Sequence, residues 1–469
     1  MKREAGILLP VSALPSRYGI GGFDRAAYEF VDFLREAGQS VWQILPLGPT
    51  GYGDSPYQSP SAFAGNPYFI SLERLCEDGL LSEEECREAD CTSDDGGVDY
   101  GALYEKRNRL LRKAFSRSRQ SAEQLRFEEA HRAWLEDYAL FMARRIASDG
   151  VPSAEEMAYH RFLQFRFFED LGALRRYANG KGIRIVGDLP IYVSLDSADV
   201  CFSPELFELD ENGIPTTVAG CPPDGFAPKG QLWGNPLYDW QEHERTGYAW
   251  WIARLSHAFS MVDAVRIDHF RGFDSYYAIP YGAPDATQGE WRRGPGMSLF
   301  RAVREALGER EIIAEDLGFI TDSVRELVHE SGFAGMKILQ FGLDGEEEHL
   351  SYRYPENSVA FTGTHDNPTL CEWIEAHSEG EIARIRESLW DFFTPRERLY
   401  EVLIASLMRS PSRLAIVPMQ DYLGLCSEGR MNRPATTGCN WRWRMREEQM
   451  SEALAEKIRR LTANGGRLS

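Results

Sequence analysis

Short apolar runs rich in β-branched residues recur along the chain at residues 6–11, 41–47, 183–193, 262–269, 311–317, 336–341, 359–366 and 414–421. Their length and their Gly, Pro and polar flanks predict strands. Between several of them, as at 26–37, 299–307 and 321–330, apolar positions recur every three or four residues, which predicts amphipathic helices. Alternating strands and helices imply a parallel sheet, and eight such units imply closure into a barrel. The expected fold is α/β: a (β/α)8 TIM barrel with helical and irregular insertions between strands. An open doubly wound sheet is the alternative. Its Gly-x-Gly-x-x-Gly turn is missing, since Gly21 and Gly22 stand in a turn of the wrong spacing.

The units are uneven. The stretch between residues 47 and 183 is far longer than one crossover needs. It carries helical spacing at 103–115 and 127–146, so a mostly helical insertion is expected at 50–174. A second stretch, 194–250, is rich in Gly, Pro, Asn and aromatic residues and reads as a loop-rich functional insertion. The barrel itself is then expected from 1–49 and 175–469. A helix at 451–461 closes the chain, and the polar tail after it is expected to lie unpacked. There is no internal repeat and no low-complexity tract.

Active sites of such barrels gather at the C-terminal ends of the strands. Those ends are acidic here. The third strand offers Asp188, the fourth Arg266, Asp268 and His269, the fifth Glu315 and Asp316, the seventh His365 and Asp366, and the eighth Asp421. Side chains alternate along a strand, so Arg266 and Asp268 share a face that excludes Val265 and Ile267. An aspartate at a strand end can merely cap the next helix, which is the bland reading of Asp316 and Asp421. Several carboxylates converging on one mouth repel one another, and that cost points to function.

Two chemistries use such a cluster. Metal binding would recruit His269 and His365. The His-x-His of a metal amidohydrolase is absent from the first strand, where Ile7, Leu8 and Leu9 stand, and there is no His-Glu-x-x-His. Glycosyl transfer needs two carboxyl groups flanking one glycosidic bond. The loops favour sugar: Tyr57 and Tyr52 lie in one Gly-rich loop, and Gln231 and Trp233 in another. Aromatic rings pack on the C–H face of a pyranose while amides and carboxylates bind its hydroxyl rim. Trp240 and Trp441 read equally well as core or as ligand contacts.

Composition narrows the partners. Hydrophobic residues at 43% and charged residues at 26% give ample core and exclude disorder. A net charge of −20 repels phosphate backbones and anionic lipid, so no nucleic-acid or membrane role is expected. No apolar run is long enough to span a bilayer. The N-terminal apolar run 5–9 stops at Pro10, unlike an export signal, and a cytoplasmic location is expected. The cysteines (Cys76, Cys86, Cys91, Cys201, Cys221, Cys371, Cys426 and Cys439) form no Cys-x-x-Cys pair. Reduced thiols are expected rather than a disulfide framework or a zinc site.

Nearly end to end, the chain resembles the 4-α-glucanotransferases (amylomaltase, or disproportionating enzyme), glycoside hydrolase family 77. The resemblance is carried by Gly19-Ile20-Gly21, Trp42-Gln43-Ile44-Leu45-Pro46-Leu47-Gly48-Pro49, Gly53-Asp54-Ser55-Pro56-Tyr57 and Ala64-Gly65-Asn66-Pro67. It continues through Gly187-Asp188, Pro222-Pro223-Asp224, Trp233-Gly234-Asn235-Pro236 and Arg266-Ile267-Asp268-His269-Phe270-Arg271-Gly272. Ala314-Glu315-Asp316-Leu317-Gly318, Thr362-Gly363-Thr364-His365-Asp366-Asn367 and Arg430-Met431-Asn432 complete it. It implies a retaining mechanism with Asp268 as nucleophile, Glu315 as a protonated general acid and then base, and Asp366 stabilising the transition state. It implies that Arg266 keeps Asp268 ionised, that His269 and His365 bind sugar hydroxyls, and that Asp188 supports the cluster. Ser55, Tyr57, Asp224, Gln231 and Trp233 would line a groove for maltooligosaccharides and α-1,4-glucans. No cofactor, metal or obligatory protein partner is implied.

The sequence departs from the family pattern at Gly225, where an aromatic commonly precedes Phe226 in a loop covering the site. It departs also at Cys201, where Trp is common, and at Pro368, where an acidic residue is usual. A hydrolase of the same mechanism, a metal-dependent barrel enzyme and a silent glucan-binding protein are the other readings.

Overall fold

The computed structural model describes residues 2–51, 53–93, 95–147, 151–223, 227–346 and 350–468. Its strands are β1 (Glu4–Leu8), β2 (Val41–Gln43), β3 (Arg184–Leu189), β4 (Thr217–Cys221), β5 (Gln231–Pro236), β6 (Ala264–Ile267), β7 (Ser275–Pro280), β8 (Glu290–Arg293), β9 (Ile312–Ala314), β10 (Ala334–Ile338), β11 (Ser358–Phe361) and β12 (Leu414–Pro418). Eight of them, in the order β1-β12-β11-β10-β9-β6-β3-β2, close into a barrel in which every neighbouring pair is parallel. The fold is the (β/α)8 barrel that the alternation of strand and helix implies.

Side-chain alternation sorts the barrel into two layers. Leu8, Val41, Val186, Ala264, Ile313 and Met336 belong to a cluster inside the cylinder, while Val265 and Ile267 pack outward with the helices. Continuing the inward positions toward the C-terminal ends leads to Asp188 on β3, Arg266 on β6 and Glu315 just past β9. The polar site is therefore the top of the same inward-facing column that fills the barrel. The strands are shorter than the apolar runs suggest. Pro190 directly follows β3 and Pro418 ends β12, and a proline has no N–H for the ladder.

Helices Leu72–Glu77, Glu83–Glu88, Tyr100–Arg117, Ala122–Ala130, Arg132–Ile146 and Ala154–Gly180 occupy the span between β2 and β3. The expected division at 174/175 falls inside Ala154–Gly180, a single unbroken helix. That helix packs against helix Arg25–Glu36 and leads into β3, so it belongs to the barrel wall as much as to the insertion. The stretch 194–250 is more ordered than its Gly- and Pro-rich composition suggests. Its strands β4 and β5 join β7 and β8 in an antiparallel sheet of order β5-β4-β7-β8. This second sheet is built from the segments that follow β3 and β6, the strands carrying Asp188 and Arg266.

Two expectations are corrected. The C-terminal tail is not loose: after helix Glu452–Asn464, Arg467 is 1% exposed and donates to the carbonyls of Met408, Glu4 and Ser410. A guanidinium can satisfy several orphan carbonyls at once, which fixes a tail of otherwise weak preference. Nor are all the thiols reduced, because Cys371 and Cys426 form a disulfide spanning 55 residues. It joins the segments after β11 and β12, whose approach the spacing of cysteines in the sequence does not show. No helix among the described residues is long and apolar enough to cross a membrane.

Candidate active site

Register sets the centre of the site. In the parallel pairing of β3 with β6, Asp188 lies opposite Arg266. Arg266 is 2% exposed, and its Nη1 donates to Asp188 Oδ1 at 2.5 Å. Its Nη2 reaches Asp268 Oδ1 at 3.2 Å and Glu315 Oε2 at 3.1 Å. One guanidinium thus holds three carboxylates from three strand ends. Burial works against its charge, but Asp188, Glu315 and Asp268 outweigh that and hold its pKa well above the ordinary value.

Asp268 and Glu315 lie side by side around that nitrogen and titrate as a pair. Burial and the neighbouring Glu315 push the Asp268 carboxyl well up. Burial pushes Glu315 the same way, but Arg266 and the His269 backbone N–H, which donates to its Oε2 at 2.6 Å, hold it below the usual carboxylate range. Glu315 thus collects two donors, the Arg266 guanidinium and the His269 N–H, while Asp268 collects the guanidinium alone.

His269 adopts a left-handed backbone, φ 47°, which is strained for a residue with a Cβ. That turn aims its N–H at Glu315. Its ring lies edge-on to Trp233, with centroids 4.8 Å apart. Burial lowers the imidazole to about 4, so the ring is neutral at physiological pH. Its Nε2 is buried without a protein partner, a costly state that a ligand hydroxyl would relieve.

Tyr57 donates to Asp188 Oδ2 at 2.7 Å and stacks on His365, with centroids 5.1 Å apart. Trp441 packs against both rings and is buried, which makes it a backing residue for the site. Trp240 instead packs among Tyr238, Trp251 and Phe273.

Asp366 stands on the open side, its side chain 47% exposed, with Oδ1 3.4 Å from His365 Nε2. Asn432 Nδ2 donates to the same oxygen at 2.6 Å, and Arg430 donates to the Asp366 carbonyl at 2.9 Å. Arg430 is itself anchored on Glu372 at 3.1 Å. These supports come from the segment after β12, and only the Arg430-Met431-Asn432 motif marked it in the sequence.

The other acidic strand ends bracket neighbouring segments rather than cap the helix that follows their own strand, Asp421 holding the first N–H of helix Leu370–Ala376. Asp316 accepts from the Met336 N–H on β10, and Asp421 accepts from Thr362 Oγ1 and the Leu370 N–H. Burial pushes both up to about 6.

Gln231 accepts from Trp233 Nε1 at 3.1 Å and so orients that ring. Ser55 Oγ accepts from the Tyr57 N–H at 3.3 Å, which places it in the turn that presents Tyr57. Asp224, Gly225 and Phe226, and Tyr52 in the other loop, lie outside the described residues. Among the described residues, the one group of three metal-ligand residue types, Cys371, Glu375 and Cys426, includes neither Asp268 nor Glu315, and its two sulfurs are bonded to each other.

A half-buried pair of carboxyls bridged by one guanidinium, ringed by hydroxyl-seeking groups and aromatic rings, suits acetal chemistry on a sugar. The comparisons agree. The glycoside hydrolase family 77 model, described as 4-alpha-glucanotransferase, matches residues 9–153 and 144–450. The 4-alpha-glucanotransferase of Streptococcus pneumoniae serotype 4 is 46% identical over 493 aligned positions, covering 98% of this chain and 97% of the relative. That of Thermus thermophilus is 43% identical, covering 100% of each chain. The solved amylomaltase from Streptococcus agalactiae in complex with acarbose matches with a TM-score of 0.94 at 38% identity, covering 100% of both chains. The chain belongs to the 4-α-glucanotransferase family, glycoside hydrolase family 77.

Proposed function

We propose that this 4-α-glucanotransferase moves segments of α-1,4-glucan by two successive displacements, with Asp268 as the nucleophile and Glu315 as the proton donor and then acceptor. The observation that carries the reading is the single Arg266 nitrogen that reaches both carboxyls. It keeps the two groups on one linkage and balances the charge that passes between them.

With a sugar ring between the two carboxyls, Glu315 carries the proton beside the leaving oxygen. Asp268, ionised and steadied by Arg266, attacks the anomeric carbon. The glycosidic C–O bond breaks, Glu315 protonates the departing oxygen, and the donor segment is held as an ester on Asp268. The 4-hydroxyl of an acceptor glucan, or of glucose, then gives its proton to Glu315 and displaces Asp268. Two inversions retain the α configuration, and one acetal replaces another, so the cycle needs no external energy. Asp366 and the free His269 Nε2 bind hydroxyls of the sugar at the cleaved bond, and His365 does so beside Tyr57. Asp188 acts through Arg266 as a positioning residue. Tyr57, Trp233, Gln231 and Ser55 border the groove for maltooligosaccharides, a chemistry consistent with the acarbose held by the Streptococcus agalactiae relative.

Incubation with maltotriose, with and without EDTA, tests the reading. Glucose together with chains longer than the starting trisaccharide, unaffected by chelator, is the expected result. Shorter sugars alone would mean that water is the acceptor, and loss of activity to EDTA would mean metal chemistry.

A further inference from the structure

The Cys371–Cys426 disulfide lies beside the groups that hold Asp366. Cys371 is in the first turn of helix Leu370–Ala376, just past Asp366 in the chain, and Cys426 shortly precedes Arg430 and Asn432. The bridge therefore ties the segment that carries Asp366 to the segment that supplies its supports, the Asn432 amide on Oδ1 and Arg430 on the carbonyl.

The same two segments also meet through side chains around the bridge. Glu372, next to Cys371, takes Arg430 at 3.1 Å with one carboxylate oxygen and Arg433 at 2.9 Å with the other. Thr369 Oγ1 accepts from the Glu372 N–H and donates to the Cys426 carbonyl at 3.2 Å. Ion pairs open to water hold weakly, and the Arg433 side chain is 42% exposed. The covalent bond does not weaken in water, and it closes a span of 55 residues, which removes much of the freedom of the two segments. A reductant can reach it: both cysteines are half-buried, and Ser427 and Glu428 beside Cys426 are exposed. Glu375 places a carboxylate oxygen within 4.8 Å of both sulfurs. That charge disfavours a thiolate, so an opened pair rests as two neutral thiols.

We propose that the Cys371–Cys426 disulfide is a redox switch on turnover: closed, it holds Asn432 and Arg430 against Asp366, and opened by a dithiol it lets the two segments part and Asp366 lose its position. Opening is a two-electron exchange. A thiolate of the reductant attacks one sulfur and the S–S bond breaks, leaving a mixed disulfide. The second thiol of the reductant displaces that, so the reductant leaves as a disulfide and its two protons end on Cys371 and Cys426. The two cysteines are positioning residues that act through Asp366. The inference rests on the reading of Asp366 as a group that binds the sugar in the transition state.

The test compares the wild-type protein oxidised and after dithiothreitol, with the state of each cysteine read by alkylation and peptide mass. On reduction, kcat for maltotriose should fall by about three- to thirtyfold, short of the roughly hundredfold cost of a 1 Å misplacement. KM should move less than kcat, and activity should return on reoxidation. Hydrogen exchange in peptides spanning 364–376 and 425–433 should quicken with reduction. The Cys371→Ser/Cys426→Ser double variant should match the reduced wild type and ignore dithiothreitol. Asn432→Ala should lose most of the redox effect, since its Asp366 has already lost the amide. A bridge that never forms under oxidation would overturn the proposal, as would unchanged kcat or unchanged exchange in protein shown to be reduced. So would a dithiothreitol response that persists in the double variant, which keeps the exposed Cys201 and Cys439 and the Cys76–Cys86 pair at 3.5 Å. A full redox effect in Asn432→Ala would overturn the route through Asp366. The products of the oxidised protein on maltotriose judge the transfer reaction separately. If no longer chains form there, the catalytic reading falls, while hydrogen exchange still decides the switch without any turnover.

Discussion

Asp188 and Arg266 face each other across β3 and β6, one residue opposite the other, and their side chains meet at 2.5 Å in the interior of the barrel. This pair is the foundation of the catalytic cluster. Asp188 takes one end of the guanidinium, and the other end is left to divide between Asp268 and Glu315. Tyr57 closes the far side of Asp188.

Removing that cation should damage both stability and turnover. In Arg266→Met, Asp188, Asp268 and Glu315 lose their common partner. Breaking a buried ion pair from one side costs about 3–5 kcal/mol. Urea unfolding should show a loss of that order near neutral pH and a smaller one in acid, where the carboxyls can neutralise by protonation. An equal loss at both pH values would contradict the hub role.

The two carboxyls should separate by their response to the leaving group. Asp268→Asn should abolish turnover with the melting temperature preserved, because no ester can form. Glu315→Gln should still form the ester from a glucosyl fluoride donor, whose leaving group needs no proton, and the intermediate should accumulate. Intact-protein mass spectrometry reads the adduct directly. An adduct in Asp268→Asn would remove the nucleophile assignment.

Asn432 is expected to act on the reaction through Asp366. Its amide donates to a half-exposed carboxylate, a charge-assisted bond worth about 1.5–3 kcal/mol. If that bond is needed in the transition state, Asn432→Ala should lower kcat by about ten- to a hundredfold. Its melting temperature should scarcely move, since Asp366 stands at the open rim. A KM effect without a kcat effect would assign Asn432 to binding alone.

Buried histidines should make the fold acid-sensitive. Burial pushes His160, His243 and His257 down to about 4. Unfolded, each imidazole takes up its proton near 6.5, whereas folded it waits until about 4. The stability they contribute is complete above 6.5 and is lost as pH falls toward 4. His257 donates to the Phe63 carbonyl, so His257→Gln keeps a donor there and removes the titration. The slope of stability against pH in that window should flatten by up to one proton, about 1.4 kcal/mol per pH unit. Unfolding midpoints measured across the window decide it.

How much of this was legible beforehand differs by element. The eight barrel strands announce themselves because each is a short apolar run closed by Pro, Gly or a polar turn. The inward direction of Arg266 follows from alternation alone. The second sheet did not announce itself, because strands such as Gln231–Pro236 have the composition of loops and are stabilised by pairing with β4 rather than by their own preference. The C-terminal tail looked loose for a similar reason: a single arginine finding three carbonyls in space leaves no periodic mark.

The sequence alone determined the alternation of strands and helices, the barrel it closes into, and the acidic residues at the strand ends, because these depend on periods of two and 3.6 residues along one chain. Its ordered motifs also determined the family. Only the tertiary structure decided which acids share a cation and which are brackets, and that Asn432 and Arg430 hold Asp366. Those outcomes depend on distances between segments far apart in the chain, and on how many donors each buried carboxyl collects there. Local pattern carries neither quantity.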